Sequence, residues 1–162
     1  MLLRRVLIGA MAGYAANRAM DVATAWFYAR QDEAAKAREE EVFPGGAILD
    51  AGRQIAAMMK IANPSEEQIQ RLGIRAHRAL GMTYGVIGAA LVGRGVRPME
   101  AGVLVGVAAF VLVDEIMNAV QLEPSPTDFP IEAHLRGVVG HATFGVALGT
   151  GLTLAFPLLH RR

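Results

Sequence analysis

Four apolar blocks dominate the chain, at about residues 3–27, 72–93, 101–120 and 135–159. At about 1.5 Å per helical residue, each is long enough to cross a hydrocarbon core of about 30 Å. The third and fourth blocks, with AGVLVGVAAFVLV from Ala101 and GVVGHATFGVALGTGLTLAFPLL from Gly137, leave scarcely any continuous polar face for water. That disfavours a soluble bundle of four buried helices. Backbone amides cross lipid only when paired internally, so helices are expected rather than loose sheet. The pattern predicts an all-α fold: an integral membrane four-helix bundle forming a single domain over residues 1–162. Arg4 and Arg5 ahead of an apolar stretch also resemble a signal peptide. Three further spans follow, and the first is read as a retained helix.

The connection at 29–70 reads as helical and extramembrane or interfacial. QDEAAKAREEE, from Gln31, is a polar helix former expected to continue the first span until VFPGG stops it. AILDAGRQIAAMMK, Ala47 to Lys60, carries an apolar stripe of Ile48, Leu49, Ile55, Ala56 and Met59, suited to lying on the membrane or capping the bundle. Ser65 and Gln68 form a capping-box signature ahead of a helix that becomes span two. LEPSPTDFP, from Leu122, reads as a proline-constrained turn.

Composition agrees with a membrane domain: 53% hydrophobic residues, only 19% charged, and a mean hydropathy of +0.33. A formal charge of +1 provides no global field for nucleic acid, which is not an expected partner. The absence of cysteine removes disulfides, thiol catalysis and thiolate metal sites. Arg4, Arg5, Arg94, Arg97, Arg161 and Arg162 would share one side of a four-span chain, with the acidic connections opposite. The positive-inside rule then makes both termini cytoplasmic. Trp26, Phe27 and Tyr28 would anchor the opposite interface.

The spans also repeat. Gly9, Gly13 and Asp21 recur 93 positions later as Gly102, Gly106 and Asp114; Gly73, His77, Gly81 and Gly85 recur 64 later as Gly137, His141, Gly145 and Gly149. Spans one and two therefore match spans three and four as two parallel two-helix units, with an additional surface helical segment between them. Gly9, Gly13, Gly81, Gly85, Gly102, Gly106, Gly145 and Gly149 present small-x-x-x-small faces that bring backbones close, within one chain or in a homo-oligomer. No strand-turn-helix context or Walker lysine makes them nucleotide-binding glycines.

Asp21, Asp114, His77 and His141 should lie at similar depth in the outer half, with Glu115 and Asn118 nearby and Arg18, Arg75, Arg78, His134 and Arg136 close to that edge. Charges facing lipid are costly, so the belt should face the bundle, pair internally or snorkel. The residues fit an internal network that fixes helix register. They also fit a proton site, or a divalent-metal site built from His77, His141, Asp21, Asp114 and Glu115, with donors suited to zinc, iron or manganese. Neither HExxH nor a di-iron ExxH pair is present. No nucleophile accompanies the Asp-His pairs, so no catalytic residue is assigned and a non-enzyme is favoured. Haem between His77 and His141 is geometrically imaginable. Met11 and Met20 point to opposite faces of span one and line no copper route.

GAMAGYAANRAMD at Gly9 to Asp21, AHRALGMTYGV at Ala76 to Val86, the third span with Gly102 and Gly106, and GHATFGVALG at Gly140 to Gly149 resemble the YagU-like group of small bacterial inner-membrane proteins. LEPSPTDFP is similar in placement to that group's proline-bearing outer turn. The resemblance implies a multi-pass inner-membrane protein with an incompletely characterised role linked to envelope or acid-stress physiology. His77 and His141 match the group's prominent histidines, with Gly81 and Gly140 as neighbours. The proline-proline-arginine segment expected after the first span is replaced by ARQDEAAKAREEE, a departure that weakens transfer of any ligand or transport role. The expected function is proton or cation handling by the polar cluster. The alternative is a membrane scaffold or accessory subunit, with lipid and a membrane-complex partner or second copy as its contacts.

Overall fold

A computed structural model describes residues 2–112 and 124–160 and is all-helical, with no strand among the described residues. The helices are α1 Leu2–Tyr28, α2 Glu33–Val42, α3 Gly46–Met58, α4 Glu66–Gly93, α5 Pro98–Phe110 and α6 Ile131–His160, with a 3-10 turn at Pro126–Asp128 ahead of α6. The capping box forms as expected: the Ser65 hydroxyl accepts from Gln68 N at 3.2 Å, and Gln68 Oε1 accepts from Ser65 N at 2.9 Å. Pro98 at the start of α5 gives up no helical hydrogen bond there.

Helix α1 packs against α4 and α6, while α5 packs against α6 and touches α4. Glycine sets these approaches. A Cβ on Gly9 would lie 2.7 Å from the Gly85 carbonyl oxygen, and one on Gly106 would lie 2.8 Å from that of His141. Along α1, Gly9 faces Gly85 and Gly13 faces Gly81, so the two helices run antiparallel; α5 and α6 do likewise. The core between them consists of small residues such as Ala16, Ala89 and Ala101, with Val92, Val105, Phe144, Leu148 and Leu152. Large apolar side chains lie outside: Leu3, Leu7 and Met11 on α1, Val103, Leu104 and Val107 on α5, Val138, Val146 and Leu154 on α6 are exposed.

Two expectations for the connection need correction. The 29–41 segment does not continue the first helix: α1 ends at Tyr28, and Asp32 starts α2 as a separate helix by accepting from Ala34 N at 3.1 Å. An N-cap carboxylate here outweighs the helix propensity of the residues around it. Helix α3 packs on the first half of α4, where Gly52 meets the Ile69 carbonyl and Gly73 that of Ile48, but Met59 is 62% exposed and lies outside its buried stripe. Gly45, at φ +76°, turns the chain between α2 and α3.

Among the described residues one helix is long and apolar enough to cross a membrane, at Ile131–Ala155 within α6. Pro98–Phe110 is apolar but shorter, and the remainder of the expected third span lies outside the described residues. Helices α1 and α4 have the length, but Asn17, Arg18 and Asp21 in one and His77 and Arg78 in the other lower their mean hydropathy.

Candidate functional site

The close approach of α1 and α4 brings together Asn17, Asp21, His77 and Arg78. Asn17 and Asp21 are one turn apart on α1, and Gly81 makes room for Asn17: a Cβ there would lie 2.8 Å from the Asn17 Cβ. Asn17 is 2% exposed, so its amide must be satisfied internally. Arg78 Nη1 donates to Asn17 Oδ1 and also lies 2.5 Å from Asp21 Oδ2. That contact fixes which end of the amide faces His77. Asn17 Nδ2 stands 3.1 Å from His77 Nε2 and 3.4 Å from the His77 carbonyl oxygen. The same Nε2 is 3.2 Å from Asp21 Oδ1. His77 therefore presents one nitrogen to both a donor and an acceptor. Without a proton, Nε2 accepts from the amide; with one, it donates to the carboxylate.

Two cavities meet at this cluster. An inner one of about 590 Å³ has Leu80, Tyr84 and Phe144 among its apolar walls and Lys36, Glu39 and Arg136 among its polar ones. An outer one of about 690 Å³ is lined by Glu66, Glu67, Gln70 and Arg78. Asp21, His77, Gly45 and Ile48 line both, so the Asp-His contact stands in the wall between them. Arg78 approaches the carboxylate from the outer side.

His141 lines the inner cavity too, with Nδ1 3.1 Å from the Gly137 carbonyl of its own helix. Its surroundings differ from those of His77. By the repeat, Asn17 corresponds to Phe110 and Arg78 to Ala142. Phe110 packs edge-on against the His141 ring, with centroids 5.7 Å apart. The second helix pair is also displaced by one turn: Gly13 meets the Gly81 carbonyl, whereas its equivalent Gly106 meets that of His141 rather than Gly145. Gly9 and Gly102 show the same displacement, facing the Gly85 and Gly145 carbonyls. All eight glycines singled out from the sequence thus contact helices of the same chain.

The metal reading gains no support from the geometry. Among the described residues no three or more His, Asp or Glu side chains converge on a cation position. Asp114 and Glu115 lie outside the described residues, and Asp21 is engaged by Arg78 and, at 3.5 Å, by Arg18. Arg18 is largely exposed. His134 contacts the Pro126 carbonyl oxygen at 2.9 Å and belongs to the turn before α6.

A second polar group lines the inner cavity away from His77. Arg136 on α6 pairs with Glu39 on α2, donates to Gln31 Oε1 at 2.7 Å and lies 5.1 Å from the Tyr28 ring centroid. Gln31 Nε2 also donates to Glu39. Glu39 side-chain exposure is 12%, so this ion pair is shielded from water far more than the pairs along the exposed helix faces. Asn17, Gln31 and Glu39 were not singled out from the sequence. For Asn17 the available signal was its position one turn before Asp21 in an otherwise Ala- and Gly-rich stretch. Comparison with family models, with curated proteins and with solved structures yields no match.

Proposed function

We propose that the chain is a four-span bacterial inner-membrane protein of the YagU-like kind, with both termini cytoplasmic, that handles protons through His77 and Asp21. The membrane part of this reading is supported by the placement of side chains: glycines line the close α1–α4 and α5–α6 contacts, and many large apolar residues are exposed on α1, α5 and α6, as on helices packed in lipid. Exposed apolar rows on α1, α5 and α6 exceed what scattered surface residues produce. Asn17, Asp21, His77 and Arg78, which lower the hydropathy of α1 and α4, satisfy one another in the cluster.

One observation carries the proton reading: His77 Nε2 lies within hydrogen-bonding distance of the Asn17 amide and the Asp21 carboxylate at once. Gaining a proton moves its hydrogen bond from one partner to the other, with Arg78 holding both in place. The pair is 27% and 30% accessible and borders both cavities, so water can reach it from either side. A metal cation at Asp21 would have to compete with Arg78, which favours proton over cation handling.

Nitrogen-15 NMR of histidine-labelled protein in nanodiscs, paired with proton flux in proteoliposomes, tests this. The expected result is that Nε2 of His77 changes from acceptor to donor as pH falls, and that His77→Gln and Asp21→Asn abolish flux. Wild-type flux no greater than that of empty liposomes would overturn the proposal. The scaffold reading has its own support in the completely bonded Asn17, and it predicts loss of stability in these variants with no wild-type flux to lose.

A further inference from the structure

We infer that the inner cavity is a binding site for a hydrophobic organic cation, a quaternary or protonated amine carrying an apolar or aromatic body. The inference is separate from proton exchange at His77. At about 590 Å³ the cavity has the size of a small-molecule site. Two edge-to-face aromatic pairs border it: Tyr84 with Phe144, centroids 6.3 Å apart, and Phe43 with Phe129, 6.4 Å apart. Such walls attract both apolar surface and positive charge. The protein already uses its cavity aromatics this way, since Tyr28 has Lys36 Nζ 5.3 Å and Arg136 5.1 Å from its ring centroid.

The charges of the lining sort the ligand. Both lining cations are neutralised locally, Lys36 by Glu33 at 2.7 Å and Arg136 by Glu39. The lining carboxylate of Glu40 differs: its two oxygens share only the Gly45 backbone N–H, each at 3.2 Å, and it pairs with no Lys or Arg among the described residues. An anion entering the cavity would have to displace Glu39 from Arg136 or Glu33 from Lys36. A cation meets a carboxylate with no such competitor, beside ring surface.

The test is binding of tetraphenylphosphonium to the full chain in nanodiscs, with empty nanodiscs subtracted and the size-matched anion tetraphenylborate in parallel. Saturable binding of the phosphonium at one site per chain is expected. Glu40→Gln and Phe43→Leu should each weaken it by about fivefold, the scale of one charge or cation–π contact. Glu40 is exposed, so its variant keeps the fold, and circular dichroism with thermal melting verifies this for both proteins. Phosphonium binding by a chain that shows no proton flux would leave this inference standing while the proton reading falls, so the two are tested separately. Binding no greater than to empty nanodiscs, equal affinity for the borate, or unchanged affinity in both folded variants would overturn it.

Discussion

Phe110 meets the His141 ring edge-on at 5.7 Å, in the position where the first helix pair sets Asn17 against His77. An apolar ring thus replaces a buried amide, and Ala142 stands where the other unit has Arg78. The two helix pairs have different chemistry at their histidines.

That asymmetry predicts unequal consequences of truncation. Asn17→Leu leaves Arg78 and His77 without a partner they now share, and should destabilise by about 1–3 kcal/mol, the cost of an unsatisfied buried polar group. Phe110→Leu keeps an apolar neighbour for His141 and should cost under about 1.5 kcal/mol. Denaturation of the purified variants in detergent compares the two. Equal losses would mean that the Asn17 network contributes no more than packing.

Replacing the contact glycines should damage the fold rather than an oligomer. A Cβ at Gly13 overlaps the Gly81 carbonyl, and one at Gly106 falls 2.8 Å from the His141 carbonyl, where backbone rather than a flexible side chain must move. Gly13→Val and Gly106→Val should each lower the melting temperature strongly while leaving the oligomeric state of the folded fraction unchanged, as read by light scattering. A stable variant that changed only its oligomeric state would place these faces between chains.

The α1–α6 contact offers a direct distance test in a chain that has no cysteine. A Cβ built on Gly151 lies 3.3 Å from the Ala12 Cβ, near the separation a disulfide spans. Ala12→Cys combined with Gly151→Cys should cross-link under mild oxidation, shifting mobility on a non-reducing gel. A control pair, Ala12→Cys with Val103→Cys, should remain reduced.

Helix α2 is held to the bundle by the shielded Glu39–Arg136 ion pair, beside a bond from Arg38 to the Asp128 carbonyl oxygen and the Phe43–Phe129 ring contact. Glu39→Gln should weaken the contact with Arg136, and hydrogen exchange should accelerate across residues 33–42 while α4 retains its protection. Removing one partner of such a pair leaves a poorly compensated charge, so the effect should exceed that of Glu41→Gln, whose partner Arg38 is half exposed. Uniform acceleration throughout the chain would show instead that the pair supports the whole fold.

The helical blocks and one capping signal were legible because each rests on local chemistry: Ser65 with Gln68, and glycines four apart. The Asp21–His77 contact was legible in part, since late placement in one helix and early placement in the next put both at one depth. Asn17 was not, because a single amide among alanines becomes informative only when Gly81 opens space opposite it. Asp32 was overlooked as a helix start because the charged residues after it favour helix equally well. Glu39 escaped notice for a different reason: its partner Arg136 is 97 positions away.

The one-turn displacement of the second pair was invisible in the sequence, and for an instructive reason. With glycines four apart on both surfaces, sliding one helix by four residues, about 6 Å, still sets glycine against backbone, although Gly106 then meets His141 and Gly149 meets Met99. The surfaces act as a toothed rack with more than one setting, and the two helix pairs of this molecule display one setting each. Register in each pair is therefore selected by the side chains beside the glycines, Asn17 with His77 in one and Phe110 with His141 in the other, rather than by the glycine teeth themselves.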